Sequence, residues 1–556
     1  MVSVLLIWIY MIITCYVTGY TVLKILALKR GYRIRRESSY LYAGIVTVTV
    51  YAQFFSIFYK VGLLANLILL IICGICVCVF FRDFSDKLHT MRLTITPVKA
   101  GVVLLLFLLF AYGTSTGIIH YDTGLYHAQS IRWIEEIGAV KGLGNLHSRL
   151  AYNSAAFCLS ALYSFSFLSG QSFHCCAGFL AFLLALTCGE AFSKNREKKL
   201  KLSDFARVLG IYYLLIIFDE MISPASDYFM VLCVFYIVIR WLDLLEEGEK
   251  SYVPYGLLCI MGVCVVTFKL SGALILLLTL KPAVQMIREK RGKEILLYMG
   301  AGVLTLLPFL IRNVILSGWL LYPFTFVDLF DVPFKIPKGM ADYDSKEIQV
   351  FGRGYSDVTR YEEPITVWFQ DWAAALDPVN LVFLILAFLG FLLFTGFAVY
   401  GIKKRKREMA EYLLVMGTMG VCFLFWLTSA PLIRYGCVYL WLFPGLTWGF
   451  LYLKVTPYLD RHKIGLILLL LIGIYKAGNF AVETARSGTA EYLVLQKDYE
   501  NFETVPYELH GYTFYYPKEG DRTGYADFPA SPVKAEDIFL GDTIKDGFKD
   551  VIHSDS

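Results

Sequence analysis

Apolar runs of roughly 18–25 residues recur from one end of this chain to the other, each long enough to cross about 30 Å of hydrocarbon. About 14 such runs can be counted by that length rule. Inside a bilayer each backbone amide must find its partner within its own segment, so runs of this kind fold as helices. The chain is 57% hydrophobic and only 17% charged over 556 residues, more apolar surface than a soluble core could bury. The expected fold class is therefore an all-α polytopic membrane protein. Residues 2–28 carry no positive leader, and the basic stretch KRGYRIRR follows that apolar run. This order predicts a first span with its N-terminus outside, not a cleaved signal.

The formal charge of +5 is held in short clusters between spans, which argues against a nucleic-acid surface. The thirteen cysteines lie almost all within apolar runs, and the loop 318–378 and the tail after 482 contain none, so no disulfide framework is expected. CGICVC (Cys73, Cys76, Cys78) has metal-like spacing, but inside a lipid-facing helix these cysteines read as small hydrophobes. Basic loops at 29–36, 194–201, 288–293 and 403–408 mark the cytoplasmic side. Counting between them places 117–170, 219–227, 316–378, 429–434 and the tail outside. That count holds only if 148–170 does not cross; its short run, rich in Ser, Tyr and Phe, predicts an interfacial or re-entrant helix.

The outer ends of the spans then collect Asp122, His127, Arg132, His147, Asp219, Glu220, Asp227, Lys269, Arg312 and Arg434. A charge at the bilayer centre costs about 2.5–3.5 kcal/mol on insertion scales, so several on one face call for a shared purpose. The bland reading is that each one snorkels and ends its helix. In GIIHYDTGLYHAQSIRWIEEIG (117–138), a helix starting at Asp122 would align Asp122, Tyr126, Gln129 and Trp133 on one face. A carboxylate, aromatic rings and an amide suit a sugar pocket. An interfacial aromatic belt with an N-cap at Asp122 would look the same.

Four later motifs favour the pocket. ISPASDYFMVLCVFYIV puts Asp227 at an outer span start, and VVTFKLSGALIL sets Lys269 near Gly272. LPFLIRNVILSGWLLYPF ends a span with Arg312 and Asn313, and SAPLIRYGCVYLWLFPGL opens one with Arg434 and Tyr435. In this order the motifs resemble those of the GT-C membrane glycosyltransferases, in the branch of protein mannosyltransferases and aminoarabinose transferases, over roughly 98–455. YDTGLYHAQSIRWIEE followed by GLGNLH is also similar to uncharacterised bacterial polytopic membrane proteins. The chain departs from the GT-C pattern in three places. Thr123 follows Asp122 where an acidic pair is usual, HSRLAYN lacks two prolines, and extra spans precede the motifs.

The resemblance implies a GT-C-like bundle of about 14 transmembrane helices. Residues 1–97 would be extra N-terminal helices and 98–481 the catalytic module, with outer juxtamembrane helices at 120–170 and an outer loop at 316–378. Residues 482–556 would form a small extracytoplasmic appendage. It further implies transfer of a sugar, with inversion, from a polyprenyl-phosphate donor to a hydroxyl of a glycan, lipid or protein acceptor. The site would face outward from the cell (inner or plasma) membrane. Asp122 and Asp227 would be the catalytic acids, with Asp122 as general base. Lys269, Arg312, Arg434 and His147 would lie at the donor phosphate, and Tyr126, His127, Gln129 and Trp133 at the substrate. No cofactor is called for beyond the lipid-linked sugar, and no motif supports a divalent metal. Two alternatives share the outer location: a polymerase or ligase using polyprenyl-diphosphate-linked glycan, and a lipid-linked-sugar transporter or flippase. A transporter would carry charges deep within spans and show paired repeats, and neither is evident in the sequence.

Overall fold

The computed structural model describes residues 1–190, 199–404, 407–456, 471, 475, 478, 482, 491–536 and 538–550. The chain is mostly helical. Its first part contains α1 (Val2–Leu26), α2 (Ser38–Phe58), α3 (Leu63–Val79), α4 (Phe81–Thr94), α5 (Pro97–Thr116), α6 (Ala128–Glu136), α7 (Ala155–Leu162), α8 (Ser166–Ser169) and α9 (Cys176–Gly189). Then come α10 (Leu202–Ile216), α11 (Ser226–Glu246), α12 (Tyr252–Phe268), α13 (Leu280–Arg288) and α14 (Gly292–Ser317). The last group is α15 (Lys338–Gly352), α16 (Ile365–Ala374), α17 (Pro378–Lys403), α18 (Arg407–Ser429) and α19 (Ile433–Val455). A hairpin of β1 (Thr504–Leu509) and β2 (Tyr512–Pro517) lies in the tail.

Among the described residues nine helices are long and apolar enough to cross a membrane, or ten if the bent pair at α3–α4 is one span. The sequence count of about 14 is larger for two reasons. Apolar helices such as α9 and α12 are shorter than that length, and most of 457–490 lies outside the described residues. α11 is buried on nearly every side, whereas α17 buries only a thin stripe, so the bundle has a protein-lined centre and a lipid-facing rim.

The longest contact in the N-terminal part is between α1 and α2, which glycine makes close. A Cβ on Gly44 would fall 1.8 Å from the Cys15 carbonyl oxygen, and one on Gly19 would fall 1.9 Å from the Tyr40 carbonyl oxygen. Small residues let membrane helices approach backbone to backbone, where dispersion replaces the hydrophobic effect as the driving force.

Helix ends sort onto two faces. On one, the Met1 ammonium donates to the Tyr492 carbonyl, Ala139 N–H to Ser56 O, Ile118 N–H to Asp219 O, Ser154 to Phe268 O and Trp372 to Pro431 O. On the other, Arg36 binds Asp243 and Glu247, Arg35 reaches Glu249, Lys24 pairs with Asp83 and Lys281 with Glu411. The described parts of the basic loops lie on this second face, while 194–198 and 405–406 lie outside the described residues. A cavity of about 210 Å³ lined by Val22, Tyr42, Tyr236, Met261 and Ala301 belongs to this half. α7 enters and leaves on the first face, since Ser154 meets Phe268 and His174 meets the Ile222 carbonyl. It is buried throughout, so of the two forms expected for 148–170, interfacial or re-entrant, the helix takes the enclosed, re-entrant one.

Candidate functional site

Four segments far apart in sequence deliver the polar residues to the first face. After α5, Ile118 N–H donates to the Asp219 carbonyl and His120 N–H to Ser223 Oγ, pinning 118–122 to the turn before α11. Asp122 leads into a π-turn, Thr123–His127, in which Ala128 N–H bonds the Thr123 carbonyl five residues back. Asp227 sits in the first turn of α11, where the helix dipole favours an anion. Lys269 ends α12 in extended backbone (φ −156°, ψ 127°). Arg434 and Tyr435 occupy the first turn of α19, just before a kink at Gly436.

The charges alternate across this group. Arg434 Nη2 donates to Asp122 Oδ2 at 2.6 Å, and its Nε, without a hydrogen bond, lies 3.9 Å from Asp227 Oδ2. Asp227 Oδ1 accepts from Lys269 Nζ, which sits 3.5 Å from the Tyr435 ring centroid. Arg434 Nη1 also donates to His120 Nε2, while Asp122 N–H donates to His120 Nδ1 at 3.1 Å. Arg434 Nη1 also lies 3.2 Å from His120 Nδ1, and because a neutral imidazole accepts at only one nitrogen, the tautomer decides which of these contacts it serves. Burial and then Arg434 lower the pKa of His120, and burial pushes that of His127 down to about 3. Burial alone would raise the Asp122 carboxyl, but Arg434 and the two histidines outweigh it and hold it below the ordinary carboxylate range.

The kink sets where Arg434 points. A Cβ on Gly436 would lie 2.4 Å from the Trp426 indole, whose Nε1 is already committed to the Leu432 carbonyl. Gly436→Ala therefore overpacks the turn and should cost about 1–3 kcal/mol. Thermal unfolding of the variant in lipid checks this, and an unchanged midpoint would refute it.

Of the residues expected from sequence, Asp122, Asp227, Lys269, Arg434, Tyr126 and His127 come together. The His127 ring centroid lies 4.4 Å from that of Tyr126, and Thr123 Oγ1 is 3.2 Å from His127 Nδ1. Arg312 is held apart at Ser56 and Asn153. His147 is half-buried at the start of the 148–151 turn, and desolvation and then Arg149 lower its pKa to about 4. Gln129 and Trp133 do not share the face of Asp122, because the π-turn breaks the α-helical register between them. Gln129 Nε2 donates to the carbonyls of Gly524 and Asp527, and Trp133 packs against Phe528 and Phe548. His120 and Tyr435 belong to the group and were not among the expected site residues. Their only sequence signal is adjacency to Asp122 and Arg434.

The tail holds the helix that carries Asp122. Thr523 and Gly524 N–H both donate to the Gly124 carbonyl inside the π-turn, and Arg132 lies over the Tyr525 and Phe528 rings. Glu135 accepts from Ser172 Oγ at 2.8 Å and from Tyr525 Oη at 2.5 Å. Burial pushes its carboxyl from 4.5 up to about 7. Because the docked state holds this proton more tightly, its contribution is complete below about pH 4.5 and is lost as pH rises towards 7. Proteolysis of 491–550 should therefore quicken across that window in wild type, and Glu135→Gln should flatten the profile. An identical profile in the variant would exclude Glu135 as the group responsible.

The long apolar helices make this an all-α multi-pass membrane protein, with a charged cluster gathered at one face. Residues 1–441 match a domain family of unknown function, DUF8201, and the chain belongs to that family. No curated protein and no solved structure matches it. Among the described residues no group of three or more His, Cys, Asp or Glu is placed to hold a metal ion.

Proposed function

We propose that this protein is a membrane glycosyltransferase of GT-C-like architecture that moves a sugar from a polyprenyl-phosphate donor to an acceptor hydroxyl outside the cytoplasm. The observation that carries this reading is the Asp122–Arg434–Asp227–Lys269 chain, built from four remote segments on the face opposite the basic loops. Basic loops face the cytoplasm in multi-pass proteins, so the cluster faces outward.

Phosphate is already a good leaving group, so the reaction needs a base for the acceptor and cations for the departing phosphate more than a strong acid. Arg434 and Lys269 supply the cations, Arg434 with its bidentate fork. In the free protein each is neutralised by a carboxylate. A donor phosphate competing for Arg434 loosens its contacts with Asp122 and His120. Asp122 then takes the proton of the acceptor hydroxyl as that oxygen bonds the anomeric carbon. The anomeric C–O bond to phosphate breaks on the opposite side, inverting the centre and releasing polyprenyl phosphate. Tyr126 supplies a ring for the sugar face, and Asp227 keeps Lys269 and Arg434 in place.

The test uses purified protein in lipid with a panel of polyprenyl-phosphate sugars and a cell-derived acceptor extract. Release of polyprenyl phosphate coupled to sugar on the acceptor is the expected result. No release from any donor would overturn the reading in favour of a polymerase or transporter.

A further inference from the structure

Arg312, one turn before the end of α14, is only 3% exposed, yet no carboxylate among the described residues lies within ion-pair distance of it. Its Nε donates to Asn153 Oδ1 at 3.1 Å and its Nη1 to Ser56 Oγ at 2.6 Å, both neutral partners. Nη2 has no protein partner among the described residues. The buried Arg207 and Arg240 both pair with Asp243, and the buried Arg353 donates to the Tyr361 carbonyl and lies over the Tyr361 and Trp368 rings. Neutral dipoles only partly offset the cost of taking a guanidinium out of water, so a buried cation of this kind calls for a counter-charge.

The space beside it has the lining for one. Arg312 shares a narrow void with Ser130, Trp133, Tyr152, Asn153 and Phe157, with room for about one water-sized sphere, about 10 Å³. Ser130 Oγ and Trp133 Nε1 are both buried and both lack a hydrogen-bond partner. The residues around the void therefore hold three unused donor groups and a net positive charge. Asn153 Oδ1 is committed to Arg312, and the Tyr152 hydroxyl donates to Asp344. A water there could accept from these donors, but among the named lining side chains only the Ser130 hydroxyl oxygen is free to accept its hydrogens. A tetrahedral oxyanion needs far more volume. A monatomic anion answers the charge and the donors, and, being only slightly wider than a water, asks a small outward shift of the lining.

We propose that the Arg312 void binds a single halide ion, chloride under ordinary conditions. This site is independent of the glycosyltransferase reading and would stand if that reading failed. It lies behind the cluster: Tyr152 lines the void and packs its ring 5.7 Å from Tyr126, and Phe157 lines it and packs 5.3 Å from His127. An ion in the void thus stiffens the wall on which Tyr126 and His127 rest.

The test follows thermal unfolding of the full-length protein in lipid nanodiscs, titrating sodium chloride or bromide into sodium gluconate at constant ionic strength. The expected result is a rise in midpoint that saturates with either halide and is absent with gluconate or inorganic phosphate. Arg312→Gln should abolish the increment. If that variant fails to fold, Ser130→Ala should raise the chloride concentration at half-saturation several-fold. Crystals grown in bromide should show an anomalous peak between Arg312 and Ser130. Equal midpoints in chloride and gluconate, a rise that never saturates, or a response to phosphate in place of halide would each overturn the proposal.

Discussion

If the proposed transfer reaction holds, replacing Asp122 with Asn should lower sugar transfer by about 10²–10⁴-fold, the usual range for losing a positioned base, while leaving the fold intact. The amide keeps the carboxylate's shape and can still accept from Arg434, so thermal unfolding of the variant should stay close to wild type. On the proposed reaction the active form is the carboxylate, so the rate should fall as pH drops through the Asp122 pKa. Burial pushes that pKa up, but Arg434, His127 and His120 together pull it below the ordinary range, and the acidic limb of kcat/KM should lie correspondingly low. Arg434→Gln removes the strongest opposing charge and leaves burial to dominate, so the limb should move to higher pH in that variant as its rate drops. Full activity in Asp122→Asn would remove Asp122 as the base. An unmoved limb in Arg434→Gln would show that another group sets the profile.

The second large effect is on stability, at the opposite face. Asp243 is fully buried and gathers three guanidiniums: Arg207 Nη2 at 2.7 Å to each carboxylate oxygen, Arg36 Nη1 at 2.8 Å and Arg240 Nη1 at 3.0 Å. These arginines come from the loop before α2, from α10 and from α11 itself, so one carboxylate ties three parts of the bundle. Removing one partner of a buried ion pair leaves uncompensated charge and typically costs about 3–5 kcal/mol. Asp243→Asn should fall in that range, read as a lowered unfolding midpoint in lipid. Glu249→Gln is the natural comparison. It breaks a bridge to Arg35, whose side chain is 57% exposed, and such surface pairs contribute about 0–1 kcal/mol. Equal losses in the two variants would mean that Asp243 is no keystone.

Much of the polar site was legible because a charge is conspicuous in an apolar chain. Asp122, Asp227, Lys269 and Arg434 each interrupt or flank an apolar run, and the cost of burying a charge is what makes such positions informative. Other features could not be read this way. The π-turn at Thr123–His127 changes the helical register by one residue. That is why Gln129 and Trp133 turn to the tail while Asp122 and Tyr126 face the cluster. Nothing in the local residues announces that turn, whose Gly124 carbonyl is taken by N–H groups some four hundred positions away. Arg312 looked equivalent to Arg434 in sequence, since both are arginines at an outer span end.

By itself, then, the sequence determined the solvent of this protein, the helical class that solvent imposes, and the residues too costly to sit in lipid without a purpose. Only the tertiary structure decided which of them meet. Arg434 reaches Asp122 across 312 positions, and Arg312 finds Ser56 across 256. The physical reason is the range of the forces involved. Hydropathy and helix formation are settled within a turn or a span, whereas an ion pair or a donor-lined void exists only after remote helices have packed and excluded water.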